Sequence, residues 1–548
     1  MAYVITQNCC KDASCVPVCP VDCIRPADGG DTEMLYIDPT SCIDCGACQE
    51  ECPIDAIYHE DELPEHLERF RDLNAAYFAA NPVEVRFAEP RLEHPAVEPG
   101  SLRVAIVGAG AAACYSAAEL MRVGGVEVSV FDRLPTPFGL IRCGVAPDHQ
   151  RTKQVADAFA SAFRDPRLTC YFNVEVGRHI SHDELMRHHH AVIYAVGASA
   201  SAELGLPGEQ LSGSHPAAQF VAWYNGHPDQ AEADFRLSGE RCVVIGNGNV
   251  ALDVARILLL SPDELARTDI ADHALKILSD TAIREVVVLA RRGPADAAFS
   301  VGEFLALGDL PGVDILIDHD GEFSAHSADP ETQAKIDLIR EFAARPHNTE
   351  HKRMVFRFHI SPIEFLGEDR VRGLRVGHRS GEIEEIETSL VLKAIGYRGT
   401  PLPGVPFDAD RGIIPNEQGR VIGSDGQVLT GVYTAGWIKR GPRGVIGTNR
   451  ACAQETVACL WEDYDDGRLR RELSPSKGID AILAANGAEP VDWRGWLAID
   501  AAERAEGAQQ GRPRVKFVNV ADMLAIAKRE GPTRDIPAAA AIQPLLSG

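Results

Sequence analysis

Apolar residues along the chain collect in short continuous runs, each leading into a glycine turn and then into a stretch with helical spacing. Leu102-Arg103-Val104-Ala105-Ile106-Val107 is the first such run. Beyond Gly108-Ala109-Gly110, the segment Tyr115–Met121 has the period of a helix, and Val126–Phe131 reads as a second strand. The order recurs in Arg241–Ile245, the turn Gly246-Asn247-Gly248, the helical pattern Leu252–Leu260 and the strand Glu285–Ala290. Continuous apolar strands belong to parallel sheets covered on both faces, so the pattern predicts two α/β nucleotide-binding units. Ahead of them stand only short strand-like runs, Ala2–Ile5 and Leu35–Ile37, and a helical pattern around Pro64–Tyr77. Alternation over Val355–Ile360 suggests more sheet but no chemistry, and His351–His359 and Glu384–Glu387 read as solvated strand or loop. No internal repeat is read from the sequence.

Length and charge narrow the class. A chain of 548 residues exceeds one ordinary core and implies roughly two to four folding units. Eighty acidic against 54 basic residues give a net charge of −26, which repels a nucleic-acid backbone. The opening MAYVITQNCC has neither the basic segment nor the apolar run of a signal peptide, and no apolar stretch is long enough to span a bilayer. The expectation is a cytoplasmic protein without nucleic-acid partners or membrane insertion.

The 15 cysteines are unevenly placed, with nine between Cys9 and Cys52. In a large cytosolic enzyme such crowding points to metal, with a disulfide scaffold or structural zinc as the alternatives. Cys42-Ile-Asp-Cys45-Gly-Ala-Cys48-Gln-Glu-Glu-Cys52-Pro53 is the bacterial iron–sulfur run, in which three close sulfurs hold one cluster and the fourth reaches another. Gly46 lets the chain turn tightly around the inorganic core. Cys19 then completes a [4Fe–4S] site with Cys42, Cys45 and Cys48, while Cys52 joins Cys9 and Cys15 at a second site. Three evident ligands there predict a [3Fe–4S] centre; Cys10 as a fourth ligand would make a second [4Fe–4S]. Cys23 reads as a buried cysteine outside both ligand sets.

The two glycine turns differ in the residue that follows the next strand. Gly108 and Gly110 let a pyrophosphate approach backbone donors, and Asp132 is placed to accept from a ribose hydroxyl, as for FAD or NAD. After Glu285–Ala290 comes Arg291-Arg292-Gly293, a pair suited to the 2′-phosphate of NADP(H). A packing turn in the first unit and an exposed basic pair in the second are the plain alternatives.

Residues 101 to about 530 resemble the glutathione-reductase-like ferredoxin–NADP reductases of the adrenodoxin reductase group, through Gly108–Ala113, Pro135–His149, Gly246–Asp253, Ala290–Gly293 and Ala435–Asn449. The tail runs Gly495–Asp500 and Gly511–Phe517 fit the same family. The N-terminal segment resembles seven-iron bacterial ferredoxins, though Cys9 and Cys15 stand closer than is usual there. The whole chain thus resembles a ferredoxin fused before a reductase. The resemblance implies FAD contacts from Gly108, Ala109, Gly110, Ala111, Asp132, Leu140, Trp437, Gly444, Val445 and Ile446. It implies NADP contacts from Asn247, Gly248, Asn249, Val250, Arg291, Arg292, Glu303 and Gly444. His149 and Lys153 fall on the family segment near the flavin, with roles in protonation or partner docking; surface histidine and ordinary helix lysine are the alternatives.

The expected fold is multidomain α/β: an α+β ferredoxin-like domain over 1–60, then two Rossmann-like domains of the glutathione-reductase type. A linker is expected over 61–100, stiffened by Pro90 to Pro99. FAD-binding parts are expected at 101–230 and 401–530, the latter with a C-terminal extension, around an NADP-binding domain at 231–400; 531–548 reads as a flexible tail. The implied activity moves electrons between NADP(H), FAD and iron–sulfur clusters of the chain or of a separate ferredoxin or other electron-transfer protein. An electron-input subunit like the glutamate synthase small subunit is the related alternative, and an NADP(H)-responsive redox-sensing interaction protein the alternative of another class. Exchanging Arg291 and Arg292 for neutral residues is expected to lower the preference for NADPH over NADH; an unchanged ratio of kcat/KM values would refute their role.

Overall fold

The computed structural model describes residues 2–26, 32–82, 94–318, 326–475 and 478–529. The expected tail at 531–548 and the stretch 83–93 of the expected linker lie outside the described residues.

The run Arg103–Val107 is the inner strand of a seven-stranded sheet. Its order is Asn416–Glu417, Arg420–Ile422, Val428–Thr434, Ala191–Tyr194, Arg103–Val107, Glu127–Asp132 and Leu168–Phe172. The last five strands pair in parallel and the first two are antiparallel. A parallel strand is buried on both faces, and Val104 to Val107 all are. The helix Ala111–Met121 carries alanines at 111, 112, 113, 117 and 118, so it lies close to its neighbours.

The second sheet has six parallel strands in the order Ser214–Pro216, Leu390–Lys393, Arg241–Ile245, Glu285–Ala290, Lys352–Phe358 and Val313–Asp318. Two readings change here. The chain enters this sheet at Ser214, ahead of the boundary expected at 230. Lys352–Phe358 is an interior strand with Met354, Phe356 and Phe358 buried, so the polar residues of His351–His359 had hidden a core element. A three-stranded antiparallel sheet, Ile360–Gly367, Val371–His378 and Ile383–Glu387, follows it. There Glu384 faces Arg357 at 2.7 Å and His378 at 2.9 Å.

The N-terminal module is built from two strand pairs, Tyr3–Ile5 with Ile57–His59 and Ile24–Arg25 with Tyr36–Ile37. It contains a repeat that the sequence reading missed. Cys19-Pro20-Val21-Asp22-Cys23-Ile24 and Cys52-Pro53-Ile54-Asp55-Ala56-Ile57 fold alike. Asp22 and Asp55 have φ of 51° and 52°, and the amides of Cys23 and Ala56 donate to the sulfurs of Cys19 and Cys52 at 3.4 and 3.2 Å. Each copy then runs into a strand. Counting back in register sets Cys9 against Cys42, Cys15 against Cys48, and Asp12 against Cys45.

The linker expected over 61–100 is corrected on both sides of the undescribed stretch. Arg69–Ala80 is a helix that buries Phe70, Leu73 and Phe78 in the module. Its buried Asn74 ties two strands together: Oδ1 accepts from Ile37 at 2.9 Å and Ile5 at 3.4 Å, and Nδ2 donates to the Ile5 carbonyl at 2.9 Å. After the gap, His94 stacks on Trp461 at 3.8 Å and Val97 donates to the Gly124 carbonyl at 2.8 Å, so this end packs on the main body.

The C-terminal helices Trp493–Gln509 and Val520–Arg529 close the apolar core beneath the first sheet with Trp496, Ile499 and Met523. Within them the fully buried Glu503 accepts from Arg142 at 2.9 Å, Arg514 at 3.1 Å and the Phe517 amide at 2.9 Å. Replacing Asn74 with alanine leaves buried strand amides without partners, at a cost of about 1–3 kcal/mol for such a group. Faster hydrogen exchange at Ile5 and Ile37 is the expected outcome; unchanged protection would contradict the role given to Asn74.

Candidate functional site

Both glycine turns open on one cavity of about 2230 Å³, lined by both sheets and by the N-terminal module. Single ligand pockets span roughly 300–1,000 Å³, so the space suits more than one dinucleotide-sized ligand. At the first turn Gly108 has φ of 106°, and a Cβ there would stand 2.5 Å from the Ala195 carbonyl oxygen. At the second, Gly246 has φ of 112° and a Cβ would stand 2.3 Å from the Ala394 oxygen. Only glycine meets both demands. The helices that follow begin at Gly110 and Gly248 with no side-chain cap, so their first amides are open to an anion.

Asp132 is locked to the first turn, with Ala109 N–H donating to Oδ2 at 2.7 Å and Leu134 N–H to Oδ1 at 2.9 Å. Burial raises its carboxyl above the ordinary range, with the two amides opposing. Gly110, Ala111, Leu140, Trp437, Gly444, Val445 and Ile446 line the cavity beside it, while Ala109 lies buried behind the turn. Leu140 and Val445 are exposed apolar side chains that face this space.

Gly248, Asn249, Val250 and Glu303 line the other side. Asn249 Oδ1 accepts from the Ser300 amide at 2.8 Å and so fixes the start of the helix Val301–Ala306 that carries Glu303. His149 comes to meet it, Nε2 lying 3.8 Å from Glu303 Oε2. Behind them the buried Arg256 donates to Asp148 at 2.6 Å and Asp253 at 2.7 Å, residues that sequence reasoning had not singled out. Its Nη1 is 3.7 Å from Glu303 and lacks a hydrogen-bond partner. Burial raises the Glu303 carboxyl, whereas Asp148, equally desolvated, is held low by Arg256. His149, Asp253 and Glu303 lie within 4.8 Å of one another, but the adjacent guanidinium disfavours a cation among them.

Some expected residues stand apart. Arg291 and Arg292 are exposed at the end of Glu285–Ala290, outside the cavity lining, as is Asn247. Arg292 makes only a long 3.9 Å contact with Asp296. Lys153 donates to Asp269 at 2.7 and 2.9 Å, and the same aspartate meets the buried Lys516 at 3.2 Å. Burial pushes the Lys516 ammonium down to about 7. Lys153 therefore secures the C-terminal segment.

The cysteines form two groups, and all 15 thiols are free. Cys19, Cys42, Cys45 and Cys48 line one small apolar hollow together with Cys23, Tyr3 and Ile24. Hydrogen bonding from Cys23 pulls the Cys19 and Cys42 thiols down to about 6. Cys9, Cys15 and Cys52 make up the second group. Burial pushes Cys9 up to about 11 and Cys15 well above its ordinary value. Thiolates there call for a soft cationic partner. Sulfurs around one tetrahedral zinc at 2.3 Å stand about 3.8 Å apart. Among the described residues no three cysteine sulfurs lie within 4.8 Å of one another, which suits a wider polynuclear centre. Cys10 is buried in the core beneath the seven-stranded sheet, with Tyr115 and Ile54.

Fold and cavity together define a pyridine-nucleotide flavoprotein oxidoreductase joined to an iron–sulfur module. Residues 35–58 match the 4Fe-4S binding domain model, and 102–292 match that of the pyridine nucleotide-disulphide oxidoreductases. The chain is 45% identical to the probable ferredoxin/ferredoxin–NADP reductase of Mycobacterium bovis, over 96% of this chain and 95% of that protein. It is 39% identical to the mitochondrial NADPH:adrenodoxin oxidoreductase of Arabidopsis thaliana, over 78% of this chain and 95% of that one. The solved structure of Mycobacterium tuberculosis FprA in complex with NADPH matches with a TM-score of 0.74 at 43% identity, covering 78% of this chain and 100% of that one. The chain belongs to the ferredoxin/ferredoxin–NADP reductase family. It is an FAD-dependent oxidoreductase that uses NADP(H), and among its described residues no helix is long and apolar enough to cross a membrane. Gly108→Ala adds a Cβ against a backbone oxygen at a left-handed φ, a strain of order 1–3 kcal/mol. It is expected to purify with less than one FAD per chain; full flavin occupancy would contradict the turn's role.

Proposed function

We propose that FAD lies along the seven-stranded sheet and NADP(H) along the six-stranded sheet, their reactive rings meeting between Trp437 and the His149–Glu303 pair. The observation that carries this reading is the single cavity into which both uncapped helix starts point. FAD held there would supply the conversion between one hydride from NADPH, carrying two electrons, and single electrons for iron–sulfur centres. Gly108, Ala109, Gly110 and Ala111 would hold its pyrophosphate, Asp132 its ribose, and Leu140, Trp437 and the Gly444–Ile446 loop its ring. Gly444 would also reach NADP(H) across the cavity from Asn247, Gly248, Asn249 and Val250.

Arg291 and Arg292, which have no close ion-pair partner among the described residues, would take the 2′-phosphate. Glu303 and His149 would bind the nicotinamide end, with Arg256 behind them pairing with Asp253 and holding the Asp148 carboxyl low. These residues orient the ring and exclude water. No nucleophilic side chain is required.

We assign one [4Fe–4S] to Cys19, Cys42, Cys45 and Cys48, and one [3Fe–4S] to Cys9, Cys15 and Cys52. Asp12 occupies the repeat position held by Cys45 in the other copy, and its carboxylate is committed to Tyr115 at 3.1 Å and Arg450 at 3.6 Å. Cys10, buried beside Cys9 and Cys52, is the alternative fourth ligand that would make this centre a second [4Fe–4S]. The electron partner is a separate ferredoxin or a like protein, and the free thiols favour a reducing, cytoplasmic setting. Near-complete mutual coverage with a reductase favours the stand-alone enzyme over an input subunit.

Iron and sulfide analysis of anaerobically purified protein is expected to give one three-iron and one four-iron centre per chain; zinc, or two four-iron centres, would contradict the assignment. In rapid mixing with NADPH the flavin is expected to bleach before the clusters. Clusters reduced at the same rate after FAD removal would exclude that order.

A further inference from the structure

The N-terminal module does not touch the main body at random. Its loop Asn8–Lys11, which carries Cys9 and Cys10, forms part of the cavity wall. The Gly447 amide donates to the Cys10 carbonyl at 2.8 Å, and Arg450 Nη1 donates to the Asp12 carbonyl at 2.8 Å and to Ser14 Oγ at 3.0 Å. Tyr115 Oη closes the seat on the Asp12 carboxylate, which is 7% exposed. The Gly447 and Arg450 contacts come from the start of the helix Thr448–Asp465, directly after the Gly444–Ile446 loop given to the flavin, and Tyr115 comes from the helix Ala111–Met121. A Cβ on Gly447 would stand 1.9 Å from the Lys11 carbonyl carbon. Gly447 itself has φ of −68°, a conformation any residue adopts, so only the close approach of the module demands glycine there.

The other cysteine group lies elsewhere. Of the group Cys9, Cys15 and Cys52 it is Cys9 that lines the nucleotide cavity; none of Cys19, Cys42, Cys45 and Cys48 does, Cys45 is exposed, and nearby Ile43 is 56% exposed. The NADP side steadies this orientation: Glu33 accepts from the Val301 amide at 2.7 Å and pairs with Lys335, while Arg69 meets Glu341 at 3.2 Å.

We propose that Gly447 and Arg450 are positioning residues that seat the Cys10–Ser14 loop against the flavin site, making the Cys9/Cys15/Cys52 centre the inner receiver of electrons and the Cys19/Cys42/Cys45/Cys48 centre the outlet to an external partner. This rests on the cofactor assignment above. The balance is simple: NADPH gives two electrons and a proton to the flavin and leaves as NADP+. Each electron passes to the inner centre, on to the outer centre, and out to a one-electron acceptor protein; the proton goes to solvent. The inner centre is thus reduced and reoxidised once per electron. Gly447 and Arg450 act on the distance and not on the hydride step.

The test uses the full-length holoenzyme, mixed anaerobically with NADPH and freeze-quenched for electron paramagnetic resonance while flavin absorbance is followed. Cys45→Ser changes a ligand of the outer centre alone and so identifies its signal. The inner signal is expected to change first in the parent. Gly447→Ala, which wedges the loop away, and Arg450→Glu, which sets a carboxylate against Asp12, are each expected to slow that change about tenfold by lowering the seated fraction, with flavin bleaching unaltered. Arg450→Lys, which keeps the charge, is expected to restore most of the rate. An outer signal that changes first, or unchanged inner-centre rates in both seat variants, would overturn the proposal. Failure of NADPH to bleach the parent's flavin would instead overturn the reductase reading beneath it.

Discussion

A backbone hydrogen bond from Gly447 to the Cys10 carbonyl fixes the N-terminal module, whose buried residues run on into the cores of both halves, against the flavin side of the molecule. It is possible because the residue that caps the start of the helix Thr448–Asp465 has no side chain. Around it, Arg450 and Tyr115 satisfy the Asp12 loop, so the cysteine-rich segment becomes a wall of the nucleotide cavity. Covalent fusion raises the local concentration of the module, and the seat adds orientation to that proximity. The described ends of the connecting segment pack on their respective modules, and docking is shared between these contacts, those of Glu33 and Arg69 with the NADP side, and a continuous apolar core.

The second constraint is electrostatic. Three carboxylates and one histidine gather where the two nucleotide halves meet, around a single buried guanidinium. Arg256 compensates Asp148 and Asp253 at hydrogen-bond distance but reaches Glu303 only at 3.7 Å. Environment thereby separates acids of the same type: one stays charged, and one is raised toward proton binding. A similar economy of charge appears under the C-terminal segment, where Asp269 serves both Lys153 and Lys516 and Glu503 serves Arg142 and Arg514.

Much of this fold is written locally. The two glycine turns, their strands and their helices were legible because a tight turn with positive φ and a close carbonyl admits glycine alone. Spacing alone also suggested that Cys19 meets Cys42, Cys45 and Cys48, which line one hollow. The repeat escaped the sequence reading, because only the paired Cys-Pro-x-Asp segments mark it and Asp12 stands where the other copy has a cysteine. Helix Arg69–Ala80 was anticipated by the helical pattern around Pro64–Tyr77, but its acidic, proline-bearing surroundings made it read as linker, although Phe70, Leu73 and Phe78 mark a buried face. Pairs such as Asp12 with Arg450, 438 residues apart, carry no local signal, because each is an ordinary charged residue until the fold brings it to the other.

The central claim is that electrons cross from flavin to an iron–sulfur centre held within the same molecule. Its most direct measurement is the rate of cluster reduction after rapid flavin reduction, followed across a wide range of protein dilution. A first-order rate that does not change with concentration is predicted; a rate that falls in proportion as the protein is diluted would show that the transfer occurs between molecules and contradict the account.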